Sequence, residues 1–186
     1  MTRSVPLAIF FVVLISPAAS SGSTGNVSLT FGPKLVGGDW IEARPPCIGV
    51  DLMCGANSWP VLLNAYASGS WGKGPNSVWD EVSESTYETG IGMTRIWNIR
   101  SFRPRIGAGI AHLSRRTHIL PGGESGESRF EDAGTRLWIV GGGSWPVGSG
   151  ANLGATVRFS ELRHMYPSLG GTHLGLTLGW GWPTAP

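Results

Sequence analysis

The sequence predicts an all-β fold, an eight-stranded antiparallel up-and-down transmembrane barrel, from three observations. The first is composition: 29 of 186 residues are Gly and 9 are Trp, yet only 14% are charged and 41% hydrophobic. Soluble domains carry about a quarter charged residues, whereas a barrel wall in lipid needs only every second strand residue to be apolar. The second is period: after residue 20 no helical spacing survives, and period-two alternation recurs instead. The third is that the breaks between alternating segments are short and long in turn.

The chain opens on an export signal, residues 1–20. Arg3 supplies the positive start, residues 5–15 are apolar apart from Pro6, and Pro17, Ala18, Ala19 and Ser20 offer a peptidase a break and small residues. Cleavage is expected near Ser20 or Ser21. The apolar run is too short to span a membrane as a helix. Residues 21–26 then form a short lead, 27–183 the barrel and 184–186 a tail.

In the first strand Val27, Leu29, Phe31 and Leu35 oppose Ser28, Thr30, Gly32 and Lys34. Residues 47–54 alternate through Ile48, Val50 and Leu52, between Cys47 and Cys54. An exported cysteine pair is usually oxidised, but an extended strand would hold the sulfurs roughly 20 Å apart. Strand and disulfide exclude each other, and the sequence leaves the redox state open. Trp59, Val61, Leu63, Ala65 and Ala67 then oppose Asn64, Tyr66 and Ser68, and Tyr87, Ile91, Met93 and Trp97 oppose Glu88, Gly90, Gly92 and Thr94. Ile106, Ala108 and Ile110 oppose Arg105, Gly107 and Gly109. Residues 133–146 form a further strand whose Gly141, Gly142 and Gly143 leave its faces ambiguous. The last two strands alternate most cleanly. Leu153, Ala155, Val157 and Phe159 share one face, and Leu174, Leu176, Leu178, Trp180 and Trp182 another.

Breaks near 55–58, 98–102 and 147–150 are short, and those near 38–46, 72–82, 120–132 and 163–170 longer and more polar. That is the sidedness of a membrane barrel, with tight turns at one rim and loops at the other. Trp59, Trp97, Trp145, Trp180 and Trp182 all fall at the short-turn rim, as an interfacial aromatic girdle requires.

The polar faces settle which side is wet. They are dominated by Gly and small residues with isolated charges, and a surface facing water would carry many more. Lys34, Glu88, Arg105, Arg158 and His173 are therefore expected in the lumen, with Glu88 and Arg158 as an ion pair. Eight strands leave an interior just filled by side chains, so no wide pore is expected. The competing reading is a soluble lipocalin-like binder with the faces reversed.

Several segments resemble the small outer-membrane β-barrel domain proteins of Gram-negative bacteria, the OmpA/OmpX-type barrel group. They are Trp59-Pro60, Glu88-Thr89-Gly90-Ile91-Gly92, Arg103-Pro104-Arg105-Ile106-Gly107-Ala108-Gly109, Asn152-Leu153-Gly154 with Arg158, and Gly170-Gly171-Thr172-His173-Leu174-Gly175 with Gly179. The resemblance covers most of residues 27–182 and rests on the order and spacing of short Gly-rich pieces. It implies an outer-membrane location, insertion by the barrel-assembly machinery, and often no enzymatic activity. Members commonly end on an aromatic residue read by that machinery. Here the chain continues past Trp182 to Pro183-Thr184-Ala185-Pro186, a departure that bears on insertion.

The expected role is structural or surface-interacting, with both termini periplasmic and the longer loops extracellular. The expected partners are outer-membrane lipid, lipopolysaccharide and an outside ligand of unknown kind. Arg115, Arg116 and Arg129, at or near an external loop, are candidates for lipopolysaccharide phosphates or equally for solvated charges. A narrow solute conduit using the lumen charges is an alternative. So is a lipid-modifying hydrolase. His112 and Ser114 share the Ile106/Ile110 face, with His118 and the carboxylates Glu124 and Glu127 further on. Lipid A deacylases use a similar His-x-Ser pair plus an acid, with His as base and Ser as nucleophile. Arg115 stands where that family's motif usually has Asn. The net charge of +2 argues for no nucleic-acid partner, and no metal-ligand cluster or cofactor motif is present.

Overall fold

The structure is a computed structural model that describes residues 23–36, 45–74, 81–120, 128–160 and 171–182. The expected signal, residues 1–20, and the tail, residues 184–186, lie outside the described residues. Eight strands follow in chain order: β1 (Ser23–Val36), β2 (Pro46–Ala56), β3 (Leu62–Gly74), β4 (Glu81–Ile96), β5 (Arg103–Leu120), β6 (Ser128–Val147), β7 (Ala151–Ser160) and β8 (Gly171–Trp182). Each pairs antiparallel with its sequence neighbours, and β1 pairs with β8 to close the barrel. β1 begins at Ser23, so part of the expected lead is strand.

Alternation explains both the strands and their orientation. Ser28, Thr30, Lys34, Asp51, Asn64, Glu88, Asn152, Thr156, Arg158 and His173 are buried. Leu29, Phe31, Ile91, Met93, Ile106, Ile110, Leu137, Ile139, Leu153, Phe159, Leu176 and Leu178 are exposed, Leu176 by 72%. The polarity is inverted relative to a soluble barrel, which removes the lipocalin-like reading. β6 keeps one alternation straight through its glycines, with Trp138 and Val140 buried while Leu137, Ile139 and Trp145 are exposed. The three glycines simply continue the period.

Cys47 and Cys54 are both free thiols. Seven positions apart on β2, they lie on opposite faces of the wall, Cys47 buried and Cys54 half-buried. The strand prevails over the disulfide.

The short connections are tight. Trp59 N–H donates to the Ala56 carbonyl at 3.0 Å. Ile99 and Phe102 exchange two backbone hydrogen bonds of 2.9 Å around Arg100 and Ser101, with Arg100 in the left-handed region at φ 54°. The third turn places Gly148 and Gly150 at φ 68° and 92°, where a side chain would be strained.

The lengths of β3 to β6 depart from expectation. β5 has 18 residues and β6 has 20, against 10 for β7 and 11 for β2. Residues 72–74, 81–82, 120 and 128–132, expected in long loops, are strand. They read as loop because their outer face carries residues such as Lys73, Arg129 and Glu131 in place of apolar ones, although Val82 and Ile119 are buried on the inner face. About 9–11 tilted residues cross a bilayer, so β3 to β6 project past the loop-side edge of the apolar belt. On the outer face of β5 the change occurs after Ile110, where His112, Ser114 and Arg116 follow.

Following the register from Gly25 through Cys54, Leu63, Met93, Ala108, Ile139, Phe159 and Thr172 leads back to β1 at Leu35, ten residues above the start. That stagger tilts the strands by roughly 40°. Leu176→Arg is expected to destabilise the protein in lipid by about 2–4 kcal/mol. Urea-dependent unfolding from vesicles measures it, and a neutral result would mean that this face meets water.

Candidate functional site

The lumen holds a cross-linked polar cluster at mid-height. Lys34 Nζ on β1 lies 3.0 Å from Glu88 Oε2 on β4, with both side chains almost fully buried. The hydroxyls of Tyr66 and Ser160 donate to the other Glu88 oxygen. Arg158 on β7 donates to Asp51 on β2, which also accepts from the Thr30 hydroxyl at 3.5 Å. The Arg158 guanidinium lies 3.6 Å above the Tyr66 ring centre, where the ring quadrupole favours a cation. Each carboxylate thus serves one cation and at least one hydroxyl, the condition under which burying charge is tolerable.

Trp138 closes the section. Its ring meets Tyr66 edge-to-face at 5.3 Å, and its indole N–H donates to the carbonyls of Ile91 at 3.3 Å and Ile110 at 3.2 Å. Glycine makes room for these rings. A Cβ at Gly90 would sit 2.3 Å from Tyr66 Cε1, and one at Gly92 would sit 2.6 Å from Trp138 Cζ2.

Lys34, Glu88, Arg105, Arg158 and His173 thus all face inward, but their partners differ from expectation. Glu88 takes Lys34 rather than Arg158, because Asp51 on the neighbouring wall reaches Arg158. His173 is buried across from Lys34 and Arg158, with no hydrogen bond at Nε2 among the described residues. Arg105 lies nearer the short-turn end and touches the Met53 sulfur at 3.9 Å. Sequence reasoning missed Asp51, Tyr66 and Trp138. Asp51 was findable, since it alternates with Val50 and Leu52, whereas Trp138 was masked by the neighbouring glycine run.

A third buried ion pair sits higher. Arg115 Nη2 lies 2.6 Å from Glu84 Oε2, both side chains buried. Arg115 is therefore turned inward and is not available to external phosphates. Arg116 and Arg129 are exposed and share Glu131, each at 3.2 Å.

His112 and Ser114 point outward beyond the apolar belt, His112 exposed and Ser114 half-exposed. Their cross-strand neighbours are Thr89 and Thr135 for His112, and Tyr87 and Ala133 for Ser114. Among the described residues no hydrogen bond joins the two, whereas a base and its nucleophile need that contact. Glu124 and Glu127 lie outside the described residues.

Trp59, Trp97, Trp145 and Trp180 are exposed at the short-turn end, and Trp71 and Tyr87 at the other. Trp182 ends β8. Arg95 stacks 5.4 Å from the Trp97 ring.

Glu88→Ala is expected to cost about 3–5 kcal/mol, because Lys34 would remain buried without a counter-charge. The paired change Lys34→Met with Glu88→Leu should recover most of that. The temperature at which the folded band disappears on an unboiled gel reads both, and equal loss in single and paired variants would contradict the pairing.

No family model matches the chain, and no curated protein matches it. Solved structures do. Ail, the attachment invasion locus protein of Yersinia pestis, superposes with a TM-score of 0.60 at 13% identity, covering 88% of this chain and 100% of that one. OprG of Pseudomonas aeruginosa gives 0.58 at 8% identity, over 87% and 96%. Neisserial surface protein A gives 0.57 at 13% identity, over 86% and 97%. With eight strands closed in sequence order and the polar side turned inward, this chain has the fold of the small outer-membrane β-barrels.

Proposed function

We propose that the chain is an outer-membrane barrel of Gram-negative type whose work is surface interaction rather than transport or catalysis. The observation that carries this reading is the disparity in strand length. β5 and β6 have 18 and 20 residues where β7 has 10, and the excess forms a sheet beyond the belt whose outer face is polar, with Arg116, Arg129 and Glu131 exposed, while Val82, Arg115 and Ile119 are buried on its inner face. A bilayer alone requires no such extension. On this reading the short turns and both termini are periplasmic, and the projecting β3 to β6 sheet and the longer connections are extracellular. Trp59, Trp97, Trp145 and Trp180 form the inner girdle, and Trp71 and Tyr87 belong to the outer one.

The partners fit that placement. Arg116 and Arg129 face outward beyond the apolar belt, on the side where lipopolysaccharide would carry its phosphates. Arginine suits such groups because its planar fork binds phosphate oxygens in pairs. The barrel-assembly machinery would insert the chain. The neighbour Ail has also been solved with the heparin analogue sucrose octasulfate, so this fold can present a surface to sulfated sugars.

The conduit reading has less support, because Trp138, Tyr66, Arg158, Glu88 and Lys34 occupy the lumen at mid-height. The hydrolase reading lacks a joined His112–Ser114 pair.

An epitope placed in the 121–127 connection tests the reading directly. Antibody is expected to label intact cells, and the Arg116→Glu with Arg129→Glu variant is expected to retain less lipopolysaccharide on purification. Labelling only after the outer membrane is opened would overturn the orientation. Single-channel steps from the purified protein in a planar bilayer would overturn the closed lumen.

A further inference from the structure

The short-turn end of the barrel contains a half-open cavity of about 470 Å³. Its walls come from the starts of β1, β5 and β7, the ends of β2, β6 and β8, and the turns at 57–61 and 148–150. Among the described residues the lining includes Arg103 and Arg105, the amides of Asn26 and Asn152, and the hydroxyls of Ser28 and Thr177, but no Asp or Glu. A cavity whose described lining carries two guanidinium groups and no carboxylate is electrostatically positive.

Arg105 is the centre of that imbalance. The deeper cations Lys34, Arg158 and Arg115 each hold a carboxylate, in Glu88, Asp51 and Glu84. Asp51 is taken up by Arg158 and Thr30. Among the described residues the only hydrogen-bond partner of Arg105 is the Met53 sulfur, 3.9 Å from Nη1, and its Nη2 is buried with none, so Asp51 acts on it only through space. Thioether sulfur is a weak acceptor and brings no negative charge. Beside it the Asn152 amide donates to Asn26 at 3.0 Å, which fixes both amides at the cavity wall.

We infer that this cavity binds a small oxyanion, phosphate or carboxylate in type, which enters from the short-turn side and lodges against Arg105. Arg105 supplies the charge and a planar pair of donors, the arrangement that matches an oxyanion in bidentate fashion. Arg103, exposed at the mouth, adds attraction on entry. The barrel wall separates the site from lipid tails, so a free anion reaches it more directly than a headgroup does.

The test uses the full mature protein in detergent micelles, titrated with inorganic phosphate and followed by amide and arginine side-chain NMR signals. Saturable shifts are expected at Arg105, Asn26 and Asn152, with none at Arg115. Arg105→Gln should weaken phosphate about tenfold or more, the loss of one charge-assisted contact. Arg95→Gln, which removes one positive charge from the outer face of the same end, should leave the titration unchanged. Folding of each variant is checked by heat-modifiable migration, and if Arg105→Gln does not fold, the wild-type shift map alone decides. Glycerophosphoethanolamine separates the sources. Competition at the same signals extends the site to lipid-borne phosphate, and no competition restricts it to free anions. Absence of saturable shifts in the wild type, shifts confined to the outer face, or equal weakening by Arg95→Gln would overturn the inference.

Discussion

Closure at the β1–β8 seam is the constraint on which everything else depends. In hydrocarbon no water is available to an open sheet edge, so each backbone N–H and C=O of the wall must find a partner strand. The seam runs from Gly25 opposite Trp182 to Val36 opposite Gly171. Its weak point is Pro33, which has no N–H to give. Gly32 beside it lies so close to β8 that a Cβ there would sit 1.8 Å from the Leu174 carbonyl oxygen. Pairing resumes at Lys34 opposite His173, in an unchanged register. Glycine lets the two backbones draw together where proline interrupts the ladder.

That register also assembles the lumen. Lys34 lies across from His173, and His173 across from Arg158, so three nitrogen groups from β1, β8 and β7 form one row. Asp51 lies across from Tyr66 on the facing wall, with Glu88 one strand further. Lys34 and Arg158, the two cations of the row, each reach over the axis to a carboxylate. The bonds therefore tie β1 to β4 and β7 to β2, pairs of strands that share no ladder. A slip of one residue at the seam would turn Lys34 toward lipid and strand Glu88 without its cation. Register and charge pairing enforce each other.

The sequence showed the faces wherever apolar and small polar residues alternate strictly. β7 and β8 were legible residue by residue, and the inward placement of Lys34, Glu88, Arg105, Arg158 and His173 followed from that alternation. Three kinds of information were not legible. Partner choice was hidden, because Arg158 could have met Glu88 or Asp51 and only the three-dimensional stagger decides. The role of Trp138 was hidden because glycines at 141, 142 and 143 carry no polarity with which to count. The full length of β5 and β6 was hidden because residues such as Arg116, Arg129 and Glu131 stand in water on the outer face. A strand whose outer face is charged has the composition of a loop. Arg115 shows the cost of that ambiguity, for it looks like part of a basic loop yet is buried against Glu84.

Geometry then explains why the two ends, and not the middle, carry the molecule's individuality. Eight strands staggered by ten residues enclose a bore that side chains can fill completely. The plug here is fastened to the wall itself, since the Trp138 indole is tied to backbone carbonyls of β4 and β5 and Arg158 is pinned between Asp51 and the Tyr66 ring. Opening a passage would require breaking several buried, mutually dependent contacts at once, unlike a loop that swings aside. The mid-section is therefore cross-linked across the lumen rather than open. What differs from a minimal barrel is the extra height of β5 and β6 at one end and the unpaired Arg105 in the cavity at the other. Neither feature is needed for closure or for filling the bore, and it is on these two features that the proposed contacts at the surface and in the cavity rest.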